Sequence, residues 1–212
     1  MWFEKLADDN QLSLKTGDYA SISGKAVFNA NRSRRYFLEK RWAPGGNVLT
    51  AVMMNPSNAA HNQTDKTVEH LIEVAKNHGC HALYIVNVSS FIGGTSSKLN
   101  NAQFDFELAN WTFISNATAA AESSIVFLGW GLKGQQGILR HQKRDATLFK
   151  NTFKNVSSKL FCYDVLKSLD KKNINKSMYY LPHPRPQLDS EKYRFMPIRH
   201  ITDLEFEQLF NC

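Results

Sequence analysis

The sequence has few of the features that are typical of secreted proteins, of small proteins stabilised by a metal, or of membrane proteins. Only three of its 212 residues are cysteines, Cys80, Cys162 and Cys212, and none forms a Cys-x-x-Cys pair. This usage argues against a disulfide framework or a zinc knuckle and favours a reducing cytoplasm. No apolar run approaches the roughly 18 residues of a membrane-spanning helix, and no basic region followed by an apolar stretch opens the chain. We therefore expect a cytoplasmic protein that makes no membrane contact.

Common nucleotide and hydrolase motifs are also absent. The chain contains no His-Glu-x-x-His, no Gly-x-Ser-x-Gly, no P-loop and no Gly-x-Gly-x-x-Gly after a strand. The glycine-rich stretch from Gly129 to Gly134 has the wrong spacing to cradle a phosphate. These absences disfavour hydride transfer and nucleotide hydrolysis by the standard motifs, and we expect neither a metal nor another cofactor.

The composition is that of one folded domain with a basic surface. Apolar residues make up 42% of the chain and charged residues 21%. This composition excludes a chain that is disordered throughout and allows a hydrophobic core that needs no disulfide or structural metal. Lys and Arg total 26 against 19 Asp and Glu, a formal net charge of +7. This excess favours a polyanionic partner such as nucleic acid over an acidic metabolite. We expect a single domain over residues 1–212, acting as a monomer.

Hydrophobic patterning predicts strands that alternate with helices. Short apolar runs predict strands over residues 48–54, 82–86, 125–128, 160–163 and 178–181. Helical spacing predicts helices over residues 65–79, 104–114, 139–153 and from 203 onward. This alternation predicts a three-layer α/β/α fold with a central, mostly parallel sheet of four to five strands. Two further strands, 26–28 and 36–38, predict a small β-hairpin extension within residues 1–46, and the lysine-rich stretch 167–176 predicts an exposed connection.

Polar or functional side chains stand where four of these strands end. The first strand is followed by Asn55 and Ser57, the second ends near Asn87, the third is followed by Trp130, and the last run is followed by His183. Ligands of open parallel sheets bind outside the carboxyl ends of the strands. We therefore expect these side chains to converge on one rim of the sheet.

Several of these residues have a structural interpretation as well. An Asn-Pro pair after a strand is often a turn, Asn87 could satisfy backbone groups, and Trp130 could pack in the core. Asp65 is most simply the N-cap of the helix that follows it. His183 stands between two prolines in a loop, which is not the setting of a core histidine and therefore favours a function.

In their order along the chain, the motifs resemble the DUF1643 family, a bacterial and phage family of unknown function. They are Arg35-Tyr36-Phe37-Leu38, Arg41-Trp42, Met54-Asn55-Pro56-Ser57-Asn58-Ala59, Thr64-Asp65-Lys66-Thr67, Val86-Asn87-Val88, Gly129-Trp130-Gly131 and His183-Pro184. The same motifs are similar to the uracil-DNA glycosylase superfamily, whose single-strand-selective and mismatch-specific branches carry Gly-Met-Asn-Pro-Gly or Gly-Ile-Asn-Pro-Gly after the first strand. The chain departs from that pattern because Ser57 replaces a glycine, Arg185 replaces a serine, and no base-stacking aromatic stands at residues 58–61.

The resemblance implies a monofunctional DNA glycosylase that hydrolyses the N-glycosidic bond of a pyrimidine in DNA and leaves an abasic site, in anti-phage defence or base-excision repair. It implies that His183 donates a hydrogen bond to the departing base and that Asn55 positions the water. Asp65 is a third catalytic candidate. The residues expected to bind the base are Asn87, Met54, Ser57 and Trp130. The small side chains at residues 58–60 favour a modified pyrimidine that needs room.

Reaching the bond requires flipping the nucleotide out of the stack, so the protein must also hold the DNA. The candidate DNA-binding residues are Lys133, Arg140, Lys143, Arg144, Arg185 and Leu188, of which Arg185 or Leu188 could wedge into the gap.

Two other functions stay open. One is a non-catalytic module that binds nucleic acid or nucleotides, and the other is a hydrolase of free modified nucleotides in which Thr64 and Asp65 do the chemistry.

Overall fold

A computed structural model of the protein describes residues 1–93, 101–168, 177–186 and 188–210. The strands are β1 (Ser13–Tyr19), β2 (Ile22–Phe28), β3 (Arg35–Arg41), β4 (Val48–Met53), β5 (Ala82–Asn87), β6 (Ser123–Leu128), β7 (Leu160–Cys162), β8 (Leu166–Ser168), β9 (Met178–Tyr180) and β10 (Arg199–His200). The helices are α1 (Trp2–Asp9), α2 (Lys66–Asn77), α3 (Leu108–Ala119), α4 (Gly131–Arg144), α5 (Ala146–Lys154) and α6 (Asp203–Phe210). Short 3-10 turns cover Asn101–Phe104 and Ser157–Lys159.

The centre of the fold is an eight-stranded sheet in the order β1-β2-β3-β5-β4-β6-β7-β10. Its middle strands β5, β4, β6 and β7 are mutually parallel, and the strands on either side are antiparallel to their neighbours. The prediction of an α/β fold is confirmed, but four to five strands is wrong. The number is eight because the N-terminal hairpin joins the sheet through β3 and because β10 adds the opposite edge.

Strand order places a topological switch point at β4. The chain leaves β4 for β5 on one side and later returns to β6 on the other side. Connections that depart in opposite directions leave a crevice at the carboxyl end of the strand between them, and ligands of such sheets bind there. The fold therefore points to the loops after β4 and β6.

Helices cover both faces of the sheet, which gives the three predicted layers. One apolar cluster joins the sheet to five helices, through Phe3 of α1, Trp111 of α3, Ile138 of α4, Phe153 of α5 and Leu209 of α6. The other face is covered by α2, through Val68, Leu71, Ile72 and Ala75. Among the described helices, none combines the length and the apolar character needed to cross a membrane.

The predicted helix over 139–153 is two helices, and the first begins earlier. α4 ends and α5 begins at Asp145, whose Oδ1 accepts a hydrogen bond from the main-chain N–H of Leu148 at 2.8 Å. The first turns of α4 are rich in glycine, so the hydrophobic pattern did not predict a helix there. They permit close packing, since a Cβ added at Gly134 would lie 2.6 Å from Cβ of Trp130 and one added at Gly137 would lie 2.8 Å from Phe104.

The strand predicted at 178–181 does not belong to the main sheet. β9 pairs with β8 in an antiparallel hairpin of its own. The predicted exposed connection 167–176 therefore begins inside a strand, because Lys167 and Ser168 lie in β8; residues 169–176 lie outside the described residues. The N-terminal α1 and β1 were also not predicted. β1 is an edge strand in which no residue is fully buried, so its alternation of polar and apolar residues is weak.

Candidate functional site

A cleft opens at the carboxyl ends of β4 and β6, at the switch point of the sheet. Its volume is about 1040 Å³. The loop after β4 contributes Met54, Asn55 and Ser57, the start of α4 contributes residues 130–133, and the loop after β9 contributes His183. The sequence prediction that the strand ends converge on one rim is thus confirmed for the first, third and last of these motifs.

Asn55 joins the two loops that border the cleft. Its Nδ2 donates hydrogen bonds to the main-chain oxygens of Pro56, at 3.0 Å, and Gly93, at 2.9 Å. Both amide hydrogens are used in these contacts, so the side chain is fixed. In the described part of the chain, no donor contacts its Oδ1. The side chain therefore offers the cleft one acceptor oxygen held at a defined position.

The loop that carries His183 is tied to the start of α4. The main-chain N–H of Gly131 donates to the oxygen of Leu181 at 2.9 Å. Gly131 has a φ of +69°, a left-handed conformation that costs a glycine little and other residues considerably more. This turn brings the first residues of α4 and His183 to the same wall of the cleft.

The imidazole of His183 is neutral and is held by the main chain of Arg185. Its Nδ1 lies 3.1 Å from the main-chain nitrogen and 3.0 Å from the main-chain oxygen of Arg185, so it accepts from the N–H when the proton is on Nε2 and donates to the oxygen when the proton is on Nδ1. Burial lowers the pKa of His183 to about 4. At neutral pH the ring is therefore uncharged.

Asp65 has the structural role that was its simplest interpretation. Its Oδ1 accepts hydrogen bonds from the main-chain N–H groups of Thr67, at 2.9 Å, and Val68, at 3.0 Å, and so caps α2. Its other oxygen accepts from the hydroxyl of Ser57. Neither Asp65 nor Thr64 lines the cleft. Asp65 therefore supports the cleft wall at Ser57 from behind.

Trp130 borders the cleft, but its side chain belongs to the core. The indole is fully buried and its Nε1 donates to Oε1 of Gln135 at 2.8 Å. The ring packs against Phe153 with 5.7 Å between centroids. The structural interpretation of Trp130 is therefore the one that fits, and the indole is not placed to stack on a ligand.

Asn87 ends β5 but does not line the cleft. It is 1% exposed, and neither its Nδ2 nor its Oδ1 has a hydrogen-bond partner among the described residues. Its main-chain oxygen is satisfied separately by Nδ2 of Asn110 at 2.8 Å. Asn87 is therefore a buried amide whose side chain makes no hydrogen bond to the part of the chain that the structure describes.

The small side chains at residues 58–60 do not make the cleft roomy, because none of them lines it. Ala59 is buried, and its main-chain oxygen accepts from the guanidinium of Arg35. Lys40 donates to the main-chain oxygen of His61 at 3.0 Å. Arg35 and Lys40 are both 1% exposed, and burial lowers the pKa of Lys40 to about 8.

These two buried cations under the 55–65 loop were not predicted as supports of the site. Arg35 also donates its main-chain N–H to the oxygen of Ser90 at 2.8 Å, so one residue holds loops after both β4 and β5. The available signal was the presence of charged residues on both sides of the apolar run 36–38 in β3. Charged side chains are rarely buried unless they are paired or hydrogen-bonded.

The predicted DNA-binding residues divide into two groups. Lys133, Arg185 and Leu188 line the cleft. Arg185 pairs with Glu191 at 3.3 Å, and Leu188 is fully exposed. The remaining candidates Arg140, Lys143 and Arg144 do not line it.

Lys143 and Arg144 are in the last turn of α4, which places them about 18 Å along the helix from its start at the cleft. Arg140 lies over the ring of Phe104, at 5.9 Å from the centroid. Clustering in the sequence therefore did not mean clustering at the site.

Two tyrosines that no motif marked also line the cleft, Tyr180 and Tyr193. Tyr193 is 2% exposed and stacks on Tyr163, with 4.8 Å between centroids and 15° between planes. The hydroxyl of Tyr163 lies 2.6 Å from Nε2 of His70. Across the described ranges, no group of three or more His, Cys, Asp or Glu side chains is placed to hold a metal ion.

Comparison with known proteins gives a family but no activity. The model of a family described as a protein of unknown function, DUF1643, matches residues 35–172. No curated protein matches the chain. Among solved structures, the chain is similar to an acetyl xylan esterase from Paenibacillus sp. R4, at 13% identity and a TM-score of 0.35, over 68% of this chain and 53% of the esterase chain. The chain thus spans about half the length of that structure, and a likeness this distant assigns no function.

Proposed function

Because the chain belongs to the DUF1643 family of proteins of unknown function, its chemistry has to be inferred from the cleft, and we propose that it is a monofunctional DNA glycosylase. The reaction is hydrolysis of the N-glycosidic bond of a pyrimidine in DNA, in particular a modified pyrimidine, to leave an abasic site. The proposal includes a uracil-DNA glycosylase-like fold and a cytoplasmic role in anti-phage defence or base-excision repair.

The observation that carries the proposal is that Asn55 and His183 face one cleft. When an N-glycosidic bond breaks, the sugar becomes oxocarbenium-like and negative charge collects on the departing base. A preorganised donor aimed at a pyrimidine carbonyl stabilises that charge. In the tautomer with its proton on Nε2, the ring of His183 is such a donor, and it carries no positive charge at pH 7 because its pKa is about 4.

The role of Asn55 in this reaction is to position the attacking water. Its Oδ1 has no donor among the described groups, while its Nδ2 is fixed by Pro56 and Gly93. An oxygen held in this way can accept a hydrogen bond from a water and orient it toward the anomeric carbon. The water oxygen bonds to that carbon, the carbon–nitrogen bond breaks, and its electron pair leaves with the base. The proton that the water loses passes through solvent to the base anion, so the products are a sugar hydroxyl and a neutral base. Water is the nucleophile, so the strand is not cleaved.

The rim of the cleft offers contacts for the DNA on either side of a flipped nucleotide. Leu188 is an apolar side chain that is fully exposed at this rim, a setting in which apolar wedges enter base steps. Arg185, Lys133 and Lys192 line the same cleft and can pair with phosphates. The formal net charge of +7 is consistent with such a partner.

Release of bases from a panel of DNAs tests the proposal. The panel contains single- and double-stranded oligonucleotides with uracil, thymine, 5-hydroxymethyluracil, 5-hydroxymethylcytosine or its glucosylated form, and mass spectrometry identifies freed bases. We expect His183→Ala to slow release about 100- to 1,000-fold, as removal of an oxyanion donor does, and Asn55→Ala to slow it strongly as well. His78→Ala, which changes an exposed histidine outside the cleft, should have no effect.

The same panel separates the other two functions. A non-catalytic binding module would retain these oligonucleotides with a steep salt dependence and free no base from any of them. A hydrolase of free nucleotides would act on the corresponding nucleoside monophosphates and spare the DNA. Either result would remove the glycosylase proposal.

A further inference from the structure

The hairpin of β8 and β9 builds one wall of the cleft. Leu166 and Tyr180 are directly opposite each other in its antiparallel register, so their side chains lie on the same face. Both line the cleft. Tyr179 is the preceding residue of β9 and points to the opposite face, where it packs against the main apolar cluster. The hairpin therefore has a core face and a cleft face.

The ring of Tyr180 is available to a ligand. Tyr180 is partly exposed, and within the described ranges its ring meets no aromatic or cationic partner and its hydroxyl makes no hydrogen bond. Tyr193 differs, because one face of its ring is covered by Tyr163 and it is almost fully buried. Of the two cleft tyrosines, Tyr180 is therefore the one whose ring and hydroxyl have no partner among the described residues.

The cleft is larger than a bare pyrimidine requires. Its volume of about 1040 Å³ is at the upper end of the range for sites that enclose drug-sized ligands, and a single six-membered base is much smaller than such ligands. The aromatic side chain expected after Asn55 is missing, and residues 58–60 lie outside the cleft. Among the described residues, the cleft therefore has no base-stacking group in the loop after β4 and has one, Tyr180, on the hairpin side.

We propose that Tyr180 and Leu166 form the specificity wall of the cleft, and that their ligand is a pyrimidine nucleotide with a polar substituent at C5. The ring of Tyr180 stacks on the flipped base. Its hydroxyl bonds to the polar substituent, and Leu166 covers the apolar edge of the base. This inference rests on the proposed function for the identity of the ligand.

Binding measurements test the wall independently of catalysis. The probes are fluorescein-labelled single-stranded 11-mers with thymine, 5-hydroxymethyluracil or glucosylated 5-hydroxymethylcytosine at the centre, and fluorescence anisotropy gives each Kd. A matching 11-mer with a tetrahydrofuran abasic site measures the contribution of the backbone alone. We expect Tyr180→Ala to weaken binding to the base-containing probes by about 5- to 100-fold, the range for loss of one stacked aromatic, and to leave the tetrahydrofuran probe unchanged.

Two conservative variants separate the ring from the hydroxyl. Tyr180→Phe should keep thymine binding and weaken binding to the two hydroxyl-bearing probes by about 2- to 10-fold, as expected for one lost hydrogen bond. Tyr179→Phe changes the neighbouring tyrosine on the core face of the hairpin and should leave every Kd unchanged. Tyr19→Ala removes an exposed tyrosine from the β1 edge and serves as the control for loss of a ring.

Failure of this inference is distinguishable from failure of the proposed function. If the wild-type protein prefers base-containing probes to the tetrahydrofuran probe but frees no base, the glycosylase proposal fails and Tyr180 is still tested by the Kd values. If Tyr180→Ala binds all base-containing probes as tightly as the wild type, the specificity wall is overturned. It is equally overturned if the folded wild-type protein shows no preference for any base over the tetrahydrofuran site.

Discussion

The main-chain N–H of Arg185 donates a hydrogen bond to Nδ1 of His183 at 3.1 Å. The main-chain oxygen of Arg185 lies 3.0 Å from the same nitrogen, so each neutral tautomer of the ring keeps one of the two contacts. The loop sequence His183-Pro184-Arg185 therefore fixes the orientation of the ring, and Nε2 is the donor in the tautomer in which Nδ1 accepts. Arg185 acts here through its backbone, so a substitution of its side chain preserves this contact.

The low pKa of His183 predicts a pH dependence of stability. The folded pKa of about 4 lies below the usual 6.5, so between these values the unfolded chain binds a proton that the folded chain does not. The free energy of unfolding therefore rises with pH up to about 6.5 and then levels off. Between pH 7 and 4.5 this group should cost the folded protein up to about 2.5 kcal/mol.

Urea unfolding of the wild type and of His183→Gln at both pH values isolates this contribution, since the remaining titratable groups are shared. The wild type should lose more stability on acidification than the variant. Equal losses would mean that His183 titrates alike in the folded and unfolded chains.

The cap formed by Asp65 predicts a separation between stability and turnover. Asp65→Ala should lower the free energy of unfolding by about 0.5–2 kcal/mol, because it leaves the N–H groups of Thr67 and Val68 without their acceptor. Asp65→Asn should cost less, since asparagine caps helices about as well. Base release per folded molecule should be unchanged in Asp65→Asn. A loss of more than tenfold in that variant, at unchanged stability, would restore Asp65 as a catalytic residue.

Part of this picture was accessible from the sequence, for a physical reason. β4 and β5 are buried on both faces, so their sequences are continuous apolar runs. Such runs can be recognised in the sequence, and so can the polar residues that follow them. Asn55 was found in this way. Nothing local distinguishes Tyr179 from Tyr180, because the pairing of β9 with β8 decides which of them faces the cleft. Arg35 was equally hidden, since a charged residue ordinarily indicates a surface.

The position of the basic residues predicts which of them affect DNA binding. Lys192 is exposed and lines the cleft, while Lys143 is exposed at the far end of α4. Lys192→Gln should reduce the slope of log K against log salt by about 0.7 on single-stranded DNA, the value for one phosphate contact. Lys143→Gln removes the same charge and should leave the slope unchanged. Anisotropy titrations between about 50 and 200 mM salt measure both slopes. Equal effects of the two variants would place the DNA elsewhere on the surface.

The buried amide of Asn87 predicts an effect on stability without an effect on base recognition. A buried amide without partners costs about 1–3 kcal/mol of desolvation, whereas an apolar group of similar shape avoids that cost. Both polar atoms of the Asn87 side chain are in this state among the described residues, so Asn87→Leu should leave the free energy of unfolding unchanged or raise it by about 1 kcal/mol. Because Asn87 does not line the cleft, the same variant should keep its discrimination between uracil-type and cytosine-type pyrimidines, which differ in a donor and an acceptor. Urea unfolding and the competing release of the two bases measure the two effects, with Asn116→Leu on the exposed face of α3 as the control. A stability loss above about 2 kcal/mol would show instead that the amide is satisfied in the folded chain and has a structural role.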